Sequence, residues 1–422
     1  MKNAEALAPS DSPSTEARWS PVIAVALSTF TVVSAEMMPV GLLTPMSDSL
    51  SVTDGVTGLS LTITGLIGAG VSPFVPALIG LRDRKGVLVG HMLLLAVANA
   101  ATALAPDFTV LVAGRILLGL AMGVVWGLVP GLAPRLVDGP RIALASTTVF
   151  SGVSIASVLG VPLGTYLAAL LDWRAAFWAL ALLGAACAAV LARTLPALPV
   201  HERGRLDGIA GVLRHRGVAT GLAVTTLVVL GHFTGYTYVR PVLEADADLG
   251  TGVIAACLLV YGLAGVAGNF TLGPLAGRSP RAAVTAALTG VALATALLPV
   301  LTGSVVTVVL ALVLWGASYG GVSVSTQTWV RTADPARIEA SGALWAGVFN
   351  ASIAVGSLAG GLVIDHAGTR AVLLAAALAT AAGLLVALVS RPRPRPAGRR
   401  PGGPTAGRAD GREGRRVSGL PR

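Results

Sequence analysis

Charge is what this sequence has least of: 12% of its 422 residues are Asp, Glu, Lys or Arg, against about 25% in a soluble domain. So few charges leave too little polar surface to keep a chain of this length in water, which argues against an ordinary soluble enzyme. Lysine occurs twice, at Lys2 and Lys85, and no GxxxxGK[ST] stretch is present, so an ATP-hydrolysing module in this chain is excluded. The two cysteines, Cys187 and Cys257, both sit in apolar runs, which makes a disulfide framework unexpected. No His/Cys cluster has metal-ligand spacing, and neither a metal nor any other cofactor is expected. Residues 1–20 are polar and Pro/Ser-rich and lack the basic-then-apolar order of a cleavable signal peptide. The first apolar run is therefore expected to remain as a helix.

What the chain does have is long apolar runs. Hydrophobic residues make up 54% of it, and the mean hydropathy is +0.78. The runs reach roughly 20 residues or more, the length a helix needs to cross about 30 Å of hydrocarbon. In lipid the backbone must satisfy its own hydrogen bonds, so such runs become helices. The 52 glycines and 25 prolines are compatible with membrane helices.

The pattern predicts an all-α membrane protein with twelve transmembrane helices, at about 21–43, 57–80, 87–105, 109–132, 142–170, 174–194, 217–240, 251–276, 282–302, 304–330, 339–364 and 370–390. The polar stretch 195–216 reads as a linker between two six-helix bundles, 21–194 and 217–390, with a tail at 1–20. The Arg/Gly/Pro-rich stretch 391–422 reads as a disordered basic tail. With a cytoplasmic N-terminus, the internal segments hold 26 of the 30 Lys and Arg residues, and the outer loops hold three. That asymmetry places both termini in the cytoplasm of a multi-pass protein, expected in a bacterial cytoplasmic membrane. The net charge of +10 is then a topology signal that can also meet anionic lipid, and no nucleic-acid partner is expected.

The two halves also resemble each other. RIALASTTVFSGVSIASVLGVPLG (141–164) and RIEASGALWAGVFNASIAVGSLAG (337–360) share an opening Arg-Ile and spaced glycines, and VSPFVPALIGLRDRKG (71–86) matches FTLGPLAGRSPR (270–281) more weakly. The offset is about half the chain, as in transporters built from parallel repeats.

Four stretches carry a family resemblance: AEMMPVGLLTPMSDSLSVT (35–53), LRDRKG (81–86), RILLGLAMG (115–123) and SGVSIASVLGVPLG (151–164). With these the sequence resembles the major facilitator superfamily, in its twelve-helix drug and sugar:proton antiporter branch, near the arabinose-efflux-like permeases. The second stretch lacks the basic pair usual after its glycine, and the fourth is similar to the helix 5 motif of exporters that run as antiporters. The resemblance implies a proton-coupled exporter of a drug, sugar or metabolite that works as a monomer.

Glu36 is the only acid inside an apolar run and Arg115 the only cation. A carboxylate there costs several kcal/mol unless it protonates or finds a partner, so Glu36 is the expected proton carrier. If helix 1 ends near Leu43 and helix 4 starts at Thr109, both side chains lie about 10 Å from the outer surface. They could form a pair that breaks and reforms, a static salt bridge, or, for Glu36, a hydrated vestibule acid. Gly152, Gly160 and Gly164 leave a groove for a neighbouring helix, and Pro162 permits a bend. Arg82, Asp83, Arg84 and Lys85 offer an Asp–Arg latch or simple topological charge. Asn99, His232, Tyr236, Asn269, Trp315, Gln327, Trp345 and Asn350 are cavity candidates for a small-molecule substrate. Uptake by symport, a channel, and a membrane-embedded sensor or enzyme remain as alternatives. Substrate identity stays open among sugars, antibiotics, nucleosides and a self-made metabolite.

Overall fold

The computed structural model of the protein describes residues 19–137, 141–199, 211 and 213–390. The expected tail at 1–20, except Trp19 and Ser20 of α1, the tail at 391–422 and most of the 195–216 linker lie outside the described residues. The spans are α1 (Trp19–Leu50), α2 (Asp54–Val71), α3 (Arg84–Ala103), α4 (Phe108–Leu128), α5 (141–170), α6 (Trp173–Thr194), α7 (Arg216–Tyr236), α8 (Thr251–Arg278), α9 (Pro280–Leu297) and α10 (305–333). The last helix, Ile338–Val389, is 52 residues long and breaks at Gly368, whose φ of 82° and ψ of −178° no helix contains. A span of that length would reach about 78 Å at 1.5 Å per residue, so it is two crossings, α11 (338–367) and α12 (369–389). Twelve crossings in two six-helix pseudo-repeats bring the chain back to the end of the bundle where α1 begins, called the near end below.

The bundle is apolar on the outside as well as within. Large side chains such as Leu182 and Phe270 are 70% and 75% exposed, a surface that water would not tolerate around every helix but lipid does. Two large buried clusters hold most of the interior. One lies within residues 22–198. The other lies mainly within 224–387 and takes in Val40, Leu43, Leu61 and Val161 from the first half. Those four residues are where the halves share a core.

The helix ends correct the sequence expectation in one informative place. α1 does not stop near residue 43 but runs to Leu50, and α2 begins at Asp54. The far half of α1 is packed on several sides, so Ser47 and the two prolines stay helical. Only residues 51–53 remain as a turn, closed by the Thr53 side chain, which accepts from the Val56 N–H at 3.1 Å.

Candidate functional site

α1 carries two prolines, Pro39 and Pro45, inside its length. A proline has no N–H, so the carbonyl four residues earlier is left without its helical partner. Those carbonyls belong to Ala35 and Gly41, and each is taken by an arginine. Arg115 of α4 donates from Nη1 to the Ala35 oxygen at 3.0 Å. Arg240, in the short helix Val239–Ala245 that follows α7, donates from Nη1 to the Gly41 oxygen at 2.5 Å. Thr165 of α5 adds its hydroxyl to the same oxygen at 3.2 Å. One arginine thus comes from the same half as α1 and the other from the opposite half.

Glu36 and Arg115 do meet at one depth, as the sequence suggested, but they make no ion pair in this structure. The guanidinium lies 4.7 Å from the Phe177 ring centre, and its Nε and Nη2 have no hydrogen-bond partner. Glu36 is 5% exposed and its Oε1 is also unpartnered. The depth itself is corrected. Because α1 runs on to Leu50, Glu36 is about 21 Å along the helix from its far end, near the middle of the bundle.

Glu36 faces the other half. Ala35, Met38, Leu42 and Met46 pack into the first core, whereas Met37, Val40 and Leu43 pack against the second. Residues 36, 40 and 43 share that second stripe by helical spacing. That second core also holds Phe233, Tyr236, Tyr261 and Trp315, with Tyr319 of α10 packed against it.

What it faces is an aromatic stack. The rings of Tyr319 and His232 are 3.3 Å apart and nearly parallel at 9°. His232 continues to Tyr236 at 4.9 Å and 21°, and Tyr236 to Tyr261 at 4.7 Å and 26°. Trp315 closes one side edge-on to His232, Tyr236 and Tyr261, and Phe233 stands edge-on to His232. The Trp315 indole N–H donates to His232 Nδ1 at 2.9 Å. An indole can only donate, so His232 Nδ1 carries no proton and the ring is the Nε2–H tautomer. Its other nitrogen lies 3.5 Å from the Tyr261 hydroxyl. Three helices, α7, α8 and α10, supply these rings.

Of the sequence candidates, His232, Tyr236 and Trp315 converge here, and the others do not. Asn99 is buried in α3 and donates to Leu95 on its own helix. Asn350 does the same to Ala346 of α11. Trp345 donates to Thr326 of α10 at 3.1 Å and packs on Phe349, nearer the near end. Asn269 and Gln327 are half-buried on α8 and α10, outside the stack. The sequence reading missed Tyr261, Tyr319 and Phe233, which the fold brings to Tyr236 and His232.

The basic loop holds α3, and among the described residues Asp83 makes no ion pair with an arginine. Asp83 caps α3 by accepting from the Lys85 N–H at 2.8 Å and ties down the Leu198 N–H at 2.9 Å. Arg84 is buried and Arg82 exposed, while Lys85 is half-buried. The neighbouring helix that the glycines of α5 admit is α1 of the same half. A Cβ at Gly152 would strike Ala26 and Thr29, one at Gly160 would strike Ser34, and one at Gly164 would strike Met38, all on α1 of the same half. The contact across the halves comes from the opposite face, where Ser157 and Val158 meet Gly262 of α8. Between these two faces α5 makes a π-helical turn, Ala156–Gly160, just ahead of Pro162.

A twelve-helix bundle with a buried carboxyl at mid-depth and an aromatic stack facing it across two halves is the architecture of a membrane transporter. The sequence model of the Major Facilitator Superfamily matches residues 25–342, and the chain belongs to that family. It is 33% identical over 386 residues to the Pseudomonas aeruginosa protein named transcription regulatory protein OpdE, spanning 90% of this chain and 96% of that one. It is 32% identical over 369 residues to the purine ribonucleoside efflux pump NepI of Salmonella typhimurium, spanning 87% and 91%. Its fold is like that of a bacterial homologue of the lysosomal transporter Spinster in an inward-facing, unoccupied state, with TM-score 0.71, 13% identity and coverage of 89% and 98%. A mutant of the nucleoside transporter NupG has the same fold at TM-score 0.73 and 13% identity, with coverage of 87% and 99%.

Proposed function

We propose that the protein exports a planar small molecule from the cytoplasm by proton antiport, with Glu36 as the proton carrier. The observation that carries this reading is the buried, unpartnered Glu36 carboxyl on the stripe of α1 that packs into the aromatic core of the other half. A lone ionised carboxylate at that depth is costly, and protonation or a ligand removes the cost. Proton and substrate therefore compete for the same place, which is the thermodynamic requirement for exchange.

The substrate class we favour is a nitrogen heterocycle of nucleoside type. Flat rings stack on Tyr and His faces, a neutral imidazole and phenol hydroxyls offer hydrogen bonds, and one relative is named for purine ribonucleoside efflux. The near end is assigned to the cytoplasm by its Lys and Arg excess. The two bundles, 21–194 and 217–390, rock about the seams α2–α11 and α5–α8, where Gly262 brings α8 against α5. One proton moving down about 100 mV supplies about 2.3 kcal/mol, enough for a nearly fiftyfold substrate gradient.

The test is substrate-induced proton movement in everted membrane vesicles, read with a pH-sensitive dye against nucleosides, sugars and antibiotics. The expected result is proton release on addition of a nucleoside, lost in Glu36→Gln. Retention of coupled transport by Glu36→Gln would remove the carrier role. Proton movement of the opposite sense would make the protein an uptake symporter.

A further inference from the structure

The hydrogen bonds that join the halves across the described residues gather at the far end. Besides the Arg240 bond to Gly41 at 2.5 Å, the Asp365 carboxylate of α11 accepts from the Thr53 hydroxyl at 2.7 Å and from the Gly55 N–H at 2.9 Å. Ser357 of α11 donates to the Gly58 oxygen at 3.1 Å. The Arg240–Gly41 and Asp365–Gly55 contacts obey one rule: a charged side chain of the second half meets a backbone group of the first half that its own helix cannot satisfy. The Gly41 oxygen is free because Pro45 has no N–H, and the Gly55 N–H is free because it lies in the first turn of α2. A cation takes the carbonyl, and an anion takes the positive end of the helix.

Resting on the reading above that the two bundles rock about their seams, we infer that Arg240 and Asp365 form a two-point latch that holds the far end closed. Arg240 is 4% exposed and arrives pre-aimed, its Nε held by Glu244 at 2.8 Å. Gly55 fits the seam, because a Cβ there would overlap the Asp365 carboxylate, whereas Gly41 admits α5 of its own half, where a Cβ would overlap Thr165 and Val161. Beside the latch lies a cavity of about 510 Å³ lined by residues that include Thr44, Asp54, Glu244 and Thr369. Because the N-terminal partners are backbone atoms and one neutral hydroxyl, opening the gate leaves no unpaired charge in that half. The two side chains that let go lie toward the far end, where water can take them.

The latch is tested by spin-label distance measurements without substrate, so the result does not depend on what is transported. Labels go on Ser49→Cys and Ala245→Cys, two exposed far-end positions in opposite halves, while Cys187 and Cys257 are buried. The full-length protein is expected to give mainly the short, closed distance. Arg240→Gln and the isosteric Asp365→Asn are each expected to raise the long-distance population by about fivefold or more, the loss of at least one charge-assisted hydrogen bond. Pro45→Ala returns an N–H to the Gly41 carbonyl and shifts the population the same way, without adding to Arg240→Gln. Unchanged distances in both Arg240→Gln and Asp365→Asn overturn the latch, even if proton-coupled transport is intact. Full additivity of Pro45→Ala with Arg240→Gln overturns the role of the freed carbonyl.

Discussion

The hydrogen bond from Trp315 to His232, 2.9 Å long with both residues at most 1% exposed, makes a quantitative prediction. Trp315→Phe keeps most of the ring but deletes the only donor placed on His232 Nδ1. A buried acceptor left unpaired costs about 1–3 kcal/mol, whereas replacing both partners with apolar groups is nearly neutral. His232→Leu alone leaves the indole N–H unpaired and should cost a similar amount, plus the stacking on Tyr319 and Tyr236. The double variant should then be more stable than the sum of the two losses allows, by about 1 kcal/mol or more. The assay is a double-mutant cycle of unfolding free energies in detergent, where independent sites add within about 0.5 kcal/mol. Additivity within that margin would refute the bond as the element that orients His232.

Three further outcomes follow from the same geometry. Gly262→Val places a Cβ 2.8 Å from the Ser157 oxygen and the Val158 Cα, and this backbone cannot yield. Overpacking of about 1–3 kcal/mol should leave the protein in the membrane but cut vesicle transport at least about tenfold. Tyr319→Phe retains the ring beside His232 and should leave substrate affinity within about threefold. Tyr319→Ala should weaken it by about three- to tenfold, the worth of one aromatic pair, as read by ligand-dependent thermal shift or equilibrium binding. Arg115→Lys removes the planar group that both reaches the Ala35 carbonyl and covers Phe177; because the two cations are not interchangeable at such a site, transport should fall about tenfold without loss of the folded protein.

Much of the fold was legible because membrane helices are written in composition. A run of about 20 apolar residues has one outcome in hydrocarbon, so the number of spans, their order and the two-half arrangement followed from counting. Glu36 and Arg115 stood out for the same reason, as lone charges where charge is expensive. The two prolines of α1 announced in the sequence which carbonyls, Ala35 and Gly41, would be short of a partner.

Only the tertiary structure decided who would answer them. Helical spacing cannot say that Arg115 arrives at Ala35 and passes by the Glu36 carboxylate, or that Arg240 crosses between the halves to Gly41. Nor could it gather Tyr236, His232, Tyr261, Trp315 and Tyr319 from three helices into one stack, or turn the α5 glycines toward α1 rather than α8. The physical reason is that in lipid the pull on a helix is much the same all round its axis. Sequence therefore fixes how many helices cross, while close packing and the few unsatisfied polar groups fix which faces meet.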